Sequence, residues 1–413
     1  MLNWLSTIAT LLVSAWALCN ALLLLAYRRE LACMLREPVF KCPVLVIESD
    51  DWGAGPLSQA TALRDIVGVL GRHQDVAARP PSMSIALVLS VPDGPAIRRT
   101  GAYQRLYLDD ARLGDVLDTI RAGTEQGVFS PQLHGLEHFW PRTLIECDDH
   151  GVKSWLQQDA LPATEQLPAH LQSRWVDASV LPSRPLEEPV AAAAVAEEVE
   201  VYRRILGVPP KVVVPPTFVW TRDVERAWAA SGIECVVTPG WRYTLRDVRG
   251  MPGGDEGPIV NGDRSGSIGY LARYDYFEPV RGRDAVHALA ALERAVAEGR
   301  PCVLENHRDN FIAELATRRH SLDELDRLLR GALARHPDLR FMSSWELHRV
   351  LRDRDADWLV SSRWQRIPAL WQRFRRAGRP FRLARFTGAA ALGALVARLA
   401  LASTLARQST VGR

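Results

Sequence analysis

The sequence predicts an α/β protein built around a (β/α) barrel of about seven or eight parallel strands. Short apolar, β-branched runs alternate with helical segments from residue 42 to residue 350, and such alternation is typical of strand-helix-strand units. No glycine-rich nucleotide loop accompanies these runs. Its absence favours a closed or nearly closed barrel over a dinucleotide-binding sheet.

The first element is an apolar run at residues 7–27 that contains no charged side chain. About 20 such residues are enough to cross a hydrocarbon core, so residues 1–30 are predicted to form a transmembrane anchor. A cleaved signal peptide is the alternative, but no basic residue precedes the run. Arg28, Arg29 and Arg36 follow it, which predicts a single-pass inner-membrane protein with the rest of the chain on the cytoplasmic side.

Eight segments of the central region have the composition of strands, and five have that of helices. The predicted strands are residues 42–47, 84–91, 130–133, 211–214, 235–238, 267–270, 302–305 and 339–343. The predicted helices are residues 113–126, 191–206, 222–231, 283–298 and 321–335. The last helix is expected to open with a capping box formed by Ser321 and Glu324.

Polar side chains follow three of the predicted strands. Asp50 and Asp51 follow the first strand, His134 and His138 follow the third, and His307 follows the strand at residues 302–305. Barrel enzymes place their chemistry at the carboxyl ends of the strands, where these residues are expected to lie. Metal-dependent hydrolysis is the chemistry that such a set of acids and histidines favours.

The spacing of His134 and His138 indicates a metal site. Four positions place two imidazoles on one side of a helical turn, where both can reach one divalent ion. With one carboxylate, they would leave positions open for water and substrate. Zinc is the favoured ion, with cobalt, manganese or nickel as alternatives, and no organic cofactor is required.

An irregular stretch at residues 139–185 follows the histidines. It carries Phe139, Trp140, Trp155 and Trp175, which are expected to pack the stretch onto the barrel rather than to stack on sugar rings. His150 and His170 are isolated and are interpreted as non-ligands. Asp148 and Asp149 repeat the double acid, but no strand of comparable length precedes them, so they are assigned to a solvated loop.

The chain ends in a basic tail at residues 361–413. Residues 363–385 contain eight arginines and no acid, interleaved with four aromatic side chains, and residues 389–406 are largely apolar with Arg398 as the only charge. The net charge of the whole chain is only +3, so the basic excess is local. We expect an amphipathic tail that binds anionic membrane lipids, and no nucleic-acid partner.

Residues 42–350 resemble the polysaccharide deacetylase family of the chitooligosaccharide deacetylase type, also called NodB-homology or carbohydrate esterase 4, as a divergent member. Asp50-Asp51-Trp52-Gly53 is similar to the family's threonine-aromatic-Asp-Asp-Gly motif, and His134 to His138 is similar to its His-Ser/Thr-x-x-His motif. Leu304-Glu-Asn-His307 resembles its Leu-x-His motif with one extra residue. Pro215-Pro216-Thr217-Phe218 resembles its Arg-x-Pro-Tyr loop.

The resemblance implies a deacetylase-type barrel at residues 38–350 and a role for each motif residue. Asp50 would be the general base and His307 the general acid, while Asp51, His134 and His138 would be the metal ligands. Substrate contacts are expected from Trp52, Phe218, Trp241 and Arg308.

The sequence departs from the family pattern at four places. Ser49 stands where an aromatic residue is usual, and Trp52 is inserted before Gly53. Gly135 stands where a Ser or Thr normally braces the metal loop. Val214 occupies the place of the arginine that orients the catalytic Asp. Arg308 is the candidate substitute for that arginine, and these departures indicate a substrate that is not standard for the family.

Three function classes follow. The favoured one is a metal-dependent hydrolase that removes an N-acyl group, in the first place acetyl, from a membrane-proximal or lipid-linked amino sugar or polysaccharide. The second is an inactive barrel that binds glycan or scaffolds envelope polysaccharide assembly. The third is a glycosidase, which would need two carboxylates flanking a sugar bond.

Overall fold

The computed structural model describes residues 2–411, and the chain divides into two compact units. The barrel unit comprises Pro43–Glu293 and Pro301–Asp353. The terminal unit comprises the segments before and after it together with Arg294–Arg300.

The strands and helices are numbered along the chain. The strands are β1 (Val44–Gly53), β2 (Met83–Val88), β3 (Ser90–Pro92), β4 (Arg105–Tyr107), β5 (Phe129–Leu133), β6 (Val176–Asp177), β7 (Arg184–Pro185), β8 (Val212–Val213), β9 (Cys235–Thr238), β10 (Leu245–Arg246), β11 (Pro252–Gly253), β12 (Arg264–Ser265), β13 (Ile268–Ala272), β14 (Asp275–Tyr276), β15 (Cys302–His307) and β16 (Arg340–Phe341). The helices are α1 (Leu2–Ala26), α2 (Arg28–Arg36), α3 (Gln59–Leu70), α4 (Gly94–Thr100), α5 (Gly114–Glu125), α6 (Pro141–Ile145), α7 (His150–Leu156), α8 (Glu188–Leu206), α9 (Arg222–Ala230), α10 (Ala285–Ala297), α11 (Asp309–Ile312), α12 (Leu315–Arg335), α13 (Ser344–Asp353), α14 (Arg363–Arg375), α15 (Arg379–Phe386) and α16 (Ala389–Val411).

The barrel unit contains one ten-stranded sheet in the order β12-β13-β9-β8-β5-β2-β1-β15-β14, with β16 also paired to β1. All neighbouring strands are parallel except β12 and β13. Among the described residues, no pairing joins β14 to β12 or β13. The predicted α/β barrel is therefore confirmed as a class, and its sheet is an incomplete barrel rather than a closed one.

Burial explains why the strands have apolar sequences. All ten residues of β1 are buried, as expected for a central parallel strand whose two faces are both covered. α5 buries Val116, Leu117 and Ile120, which lie on one face of the helix, and leaves its other face to solvent. Asp50, Asp51 and His307 lie at the carboxyl ends of β1 and β15, and His134 follows β5 directly, so these polar residues begin where the apolar runs end.

Every predicted strand overlaps a strand of the structure, but most of the boundaries differ. β1 continues to Gly53, so the acid pair belongs to the strand and not to a turn after it. The capping box expected at Ser321 is wrong, because α12 begins at Leu315 and Ser321 lies inside it. Glu324 instead accepts a hydrogen bond from the backbone N–H of Ala285 at 3.1 Å.

The terminal unit consists of α1, α2 and the three C-terminal helices. Ser6–Ala26 is long and apolar enough to cross a membrane, and a signal sequence near an N-terminus has the same length and composition. α15 and the first part of α16 pass the same test only as a pair, which is bent by 101°. The structure contains no membrane and leaves the predicted sidedness untested.

Two arginines of the basic tail bind inside the terminal unit. Arg373 is buried and donates to the backbone carbonyls of Glu37 at 2.9 Å and Pro38 at 2.7 Å. Arg366 donates to the carbonyl of Leu35 at 2.6 Å. The last carbonyls of a helix have no partner within the helix, so these guanidinium groups stabilise the end of α2. Both arginines therefore have hydrogen-bond partners within the terminal unit.

Candidate functional site

The acid pair lies on a β-bulge. β1 pairs regularly with β15 as far as Asp50, but its pairing with β2 shifts between Ser49 and Trp52, where β1 has one residue more than its neighbour. Asp51 has a φ of 72°, a left-handed conformation that few residues other than glycine adopt. Successive side chains of a regular strand point to opposite faces. The bulge instead lets both carboxylates line one cavity of about 230 Å³.

His134 and His138 meet Asp51 in this cavity. The Nε2 atoms of His134 and His138 lie 3.3 and 3.2 Å from Oδ1 of Asp51. The segment between the histidines is not helical, so the expected helical turn is wrong. Gly135, with a φ of 101°, turns the chain immediately after β5 and brings the two rings to a centroid separation of 4.8 Å.

The arrangement of these three side chains fits a divalent ion. Oδ1 of Asp51 is buried and has no hydrogen-bond partner, so a strong ligand atom is left unused. Nδ1 of His134 donates to the backbone carbonyl of Val214 at 2.7 Å, which directs the Nε2 lone pair of His134 at Asp51. Two imidazoles and a carboxylate are ligands that zinc and its neighbours accept.

The pKa shifts of Asp51 and His138 suit metal binding. In the metal-free His134, by contrast, burial is outweighed by the nearby carboxylates, so its pKa is raised. Burial opposes ionisation of Asp51, but the two imidazoles outweigh it and hold the pKa of Asp51 well below its ordinary value. Burial lowers the pKa of His138 to about 4. At neutral pH the site therefore presents an ionised Asp51 and a neutral His138, which are the forms that coordinate metal ions.

Arg174 braces the loop that carries the two histidines. The buried Arg174 side chain donates to Glu137 at 2.5 Å and to Glu198 at 3.0 Å. Glu198 in turn accepts from the backbone N–H of Leu136 at 3.2 Å. Gly135 offers no side chain for this task, so ion pairs take the place of the Ser or Thr expected from the family motif.

Arg273 orients Asp50. Its two terminal nitrogens donate to the two oxygens of Asp50 at 2.6 and 2.9 Å, and its Nε donates to Glu48. Burial raises the pKa of Asp50, but Arg273 outweighs burial and lowers it below the ordinary value. The expectation that Arg308 would take this part is wrong, because Arg308 binds Glu165 at 2.8 and 2.9 Å.

His307 faces the same cavity from the end of β15 and is held by Glu278. Nδ1 of His307 lies 2.5 Å from Oε1 of the buried Glu278, and Oε2 of Glu278 accepts a hydrogen bond from Asn310 at 2.8 Å. Burial lowers the pKa of His307, but the hydrogen bond to Glu278 and the charge of Asp51 outweigh it and raise the pKa to about 10. His307 is therefore an imidazolium at neutral pH.

A second group of acids lies beside the first. Asp50, Glu305 and His307 are close enough to share an ion. Arg273 already binds Asp50 and lies 3.7 Å from Glu305, so its guanidinium supplies the positive charge at this position. The set of Asp51, His134 and His138 remains the better metal site.

The stretch at residues 139–185 folds around a core of its own and reaches the cavity. Its buried cluster consists of Phe139, Leu144, Val152, Trp155, Leu156, Leu167, Leu171 and Ala178. Trp155 and Trp175 are buried, as expected for packing rather than sugar stacking. The stretch contributes Glu165 and Gln172 to the cavity wall, while His150 and His170 lie outside the wall.

The predicted substrate residues divide into one that lines the cavity and three that do not. Phe218 lines it and has a φ of 58°, and the Arg273 guanidinium lies 5.7 Å from its ring centroid. Trp52 is fully buried and donates a hydrogen bond to Ser49 at 2.7 Å. The expected substrate contact of Trp52 is therefore wrong, because its side chain is not accessible. Trp241 is 40% exposed but outside the cavity wall, and Arg308 is buried against Glu165.

Several residues of the site were missed by the sequence analysis. They are Arg273, Glu278, Glu165, Gln172, Thr217, Arg281 and Asp309. Arg273 follows β13 directly, so the signal that revealed the other residues, a polar side chain after an apolar strand, was present there too. Glu165 and Gln172 come from irregular chain and carry no such signal.

No family model and no curated protein matches the chain. Solved structures that resemble it include a protein from Mycobacterium smegmatis described as a polysaccharide deacetylase (TM-score 0.41, 13% identity). That match covers 77% of this chain and 94% of the Mycobacterium chain. Another is a family 4 acetyl xylan esterase from Clostridium thermocellum (TM-score 0.36, 10% identity), and the match covers 74% of this chain and 91% of the esterase.

A 4-alpha-glucanotransferase from Thermococcus litoralis also resembles the chain (TM-score 0.39, 12% identity). The match covers 74% of this chain but only 40% of the glucanotransferase. A CE4 family pseudoenzyme from Bacillus anthracis is also among the similar structures (TM-score 0.35, 8% identity). Likenesses of this size do not assign an activity.

Proposed function

We propose that the chain is a metal-dependent hydrolase that removes an N-acyl group, in the first place acetyl, from an amino sugar. The observation that supports this most is the pairing of an ionised Asp50, held by Arg273, with a protonated His307, held by Glu278, on one cavity. Groups whose pKa values are driven apart are suited to act as base and acid in the same reaction.

The proposed steps use these two side chains in turn. Asp50 accepts a proton from the water that attacks the acyl carbon, and the new carbon–oxygen bond forms as that proton leaves. The carbon–nitrogen bond then breaks, its electron pair goes to nitrogen, and His307 donates the proton that completes the leaving amine. A carboxylate and a free amino sugar are the products.

Asp51, His134 and His138 would hold one divalent ion, with zinc favoured over cobalt, manganese or nickel. When bound, the ion would polarise the acyl oxygen and lower the pKa of water in the site. Arg273 keeps Asp50 ionised, and Val214 keeps His134 in the tautomer that a ligand requires.

The size of the cavity supports a small substrate segment. Its volume of about 230 Å³ is below the roughly 300–1,000 Å³ of sites that enclose drug-sized ligands. One sugar unit with its acyl group, at a chain end or on a lipid carrier, fits this size better than the middle of a polysaccharide. The basic residues after the first apolar helix support a membrane-proximal substrate on the cytoplasmic side.

Acetate release from N-acetylated amino sugars by the purified, metal-loaded protein tests the proposal. Asp50→Asn should keep the metal content and slow turnover roughly 10²- to 10⁴-fold, the usual contribution of a general base. Asp148→Asn is the matched control, because it changes an exposed acid of the other double-acid pair. Full turnover by Asp50→Asn would contradict the mechanism, and sugar binding without acetate release by the wild type would support the inactive barrel instead.

A further inference from the structure

A polar cavity of about 390 Å³ lies between α14 and α16 in the terminal unit. Its walls are Pro368, Trp371, Gln372 and Arg375 of α14, and Ala394, Ala397, Arg398 and Leu401 of α16. Each set follows the spacing i, i+3, i+4, i+7, so one face of each helix lines the cavity. The cavity is thus a product of helix packing and not of a single exposed loop.

Two arginines on this cavity have no acidic partner. Arg375 donates to Gln372 at 3.1 Å, and no ion pair of Arg375 or Arg398 occurs among the described residues. No carboxylate lines the cavity. Arg376, by contrast, pairs with Glu298 at 3.1 Å. Two guanidinium groups that line one cavity without an acid form a site for an anion, and phosphate is the anion that their planar geometry suits best.

Arg398 has an unusual position for a charged residue. It is the only charged side chain of α16 between residues 389 and 404, in the helix pair that together is apolar enough to enter a membrane. An arginine within such a segment is costly unless it has a partner or reaches the headgroup level. A bound anion at this cavity would supply that partner.

An apolar groove of about 560 Å³ adjoins the polar cavity, and Trp371 lines both. The groove walls come from α1, α2, α14, α15 and α16 and are apolar except for Asn20, which already donates to the carbonyl of Trp16 at 2.8 Å. Gly393 makes room for Trp371, because a Cβ at Gly393 would lie 2.5 Å from the Trp371 ring. A molecule that carries both a phosphate and a hydrocarbon chain could occupy the two spaces together.

We propose that the terminal unit binds one anionic phospholipid, with its phosphate on Arg375 and Arg398 and a hydrocarbon chain in the adjoining groove. The charge of the polar cavity selects the headgroup, and the apolar groove distinguishes a lipid from free phosphate. The proposal does not depend on the proposed hydrolase activity, because none of these residues belongs to the site of Asp50 and His307.

Native mass spectrometry of the full chain, released from mixed micelles, tests this proposal with three lipids. Phosphatidylglycerol should be retained. Diacylglycerol should not be retained, because it has no phosphate. Phosphatidylcholine should be retained less than phosphatidylglycerol. The double variant Arg375→Gln/Arg398→Gln should bind phosphatidylglycerol roughly 30-fold more weakly. Each basic residue near an anionic headgroup contributes a similar part of the binding free energy, and the variant removes two of them. Leu370→Trp, which fills the groove without changing charge, should also reduce retention.

The matched control is Arg382→Gln/Arg385→Gln, which removes two charges from α15 at positions that line neither space. It should leave retention unchanged. Equal loss in both double variants would mean diffuse surface attraction and would overturn the site. Complete displacement of the lipid by inorganic phosphate, or preferential binding of a labelled oligonucleotide at Arg375 and Arg398, would overturn the assignment to a lipid.

Discussion

The two terminal nitrogens of Arg273 donate to the carboxylate of Asp50 at 2.6 and 2.9 Å. Arg273 follows β13 directly and Asp50 lies in β1, and four other strands separate β13 from β1 in the sheet. A bidentate ion pair fixes both the charge and the orientation of the carboxylate. The arginine that the motif lacks at Val214 is therefore supplied from elsewhere in the chain.

We expect Arg273→Gln to damage both stability and turnover. Removing one partner of a buried ion pair costs about 3–5 kcal/mol, because Glu48 and Asp50 would remain as buried charges. Urea unfolding and acetate release measure the two effects. Arg308→Gln is the matched control, since it breaks the pair with Glu165 and leaves Asp50 held. If Arg308→Gln lowered turnover while Arg273→Gln did not, the assignment of the orienting arginine would be reversed.

We expect His134→Ala and His138→Ala each to lower metal affinity strongly. Each change removes one of three donors, and the other two alone make an incomplete site for a divalent ion. Elemental analysis and zinc titration of the purified protein measure the loss. His150→Ala is the control, because His150 lies outside the cavity wall. Unchanged zinc content in both site variants would rule out this ligand set.

The pKa of His307 predicts a pH-dependent contribution to stability in the metal-free protein. The folded-state pKa of about 10 lies above the ordinary 6.5, so protonated His307 stabilises the fold fully below about pH 6.5. That contribution is lost as pH rises toward 10. The difference in unfolding free energy between wild type and His307→Gln should therefore shrink over this window, by about 1.4 kcal/mol per pH unit at most.

Glu278→Gln should lower the pKa of folded His307, because the hydrogen bond to Glu278 is the largest influence that raises this pKa. The pH range over which protonated His307 contributes to stability should therefore become narrower. His320→Gln, at an exposed position on α12, is the control for the loss of a histidine as such. A difference between wild type and His307→Gln that stays constant from pH 6.5 to 10 would contradict the ion pair.

A hydroxyl side chain at Gly135, where the similar sequence motif has Ser or Thr, should harm the site. Gly135 has a φ of 101°, and a Cβ there would lie 2.7 Å from the backbone oxygen of Glu137. Gly135→Ser should therefore lower zinc affinity and stability. Gly101→Ser is the matched control, because Gly101 also has a positive φ of 69° but open space around its Cβ, so it should cost only the roughly 1–2 kcal/mol of a left-handed conformation. Equal losses of stability in Gly135→Ser and Gly101→Ser would contradict the prediction that a side chain at Gly135 collides with the backbone of Glu137.

The sequence predicted the strands and the polar residues at their carboxyl ends, because buried parallel strands are marked by nearly continuous apolar runs. Asp50, Asp51, His134, His138 and His307 all line one cavity. The metal role of three of them and the catalytic role of the other two remain predictions for the experiments above.

The partners of these residues could not be predicted in the same way. Arg273 also follows a strand, but which strand end faces Asp50 depends on the order and curvature of the sheet, which no local pattern encodes. Glu165 lies in a short 3₁₀ turn of the irregular stretch, where periodicity gives no information. Ser321 failed as a cap because α12 begins at Leu315, six residues earlier than the local pattern indicates.

The bulge in β1 makes the two-carboxylate arrangement sensitive to a change in length. Ser49 and Trp52 pair with Ile85 and Leu87, so β1 holds one residue more than β2 across this step. The residues of β1 within this step are Asp50 and Asp51 themselves, so loss of one codon here would remove a carboxylate and restore the alternation of a regular strand. A lineage could thus abandon this chemistry through one small in-frame deletion that leaves both histidines and the fold in place.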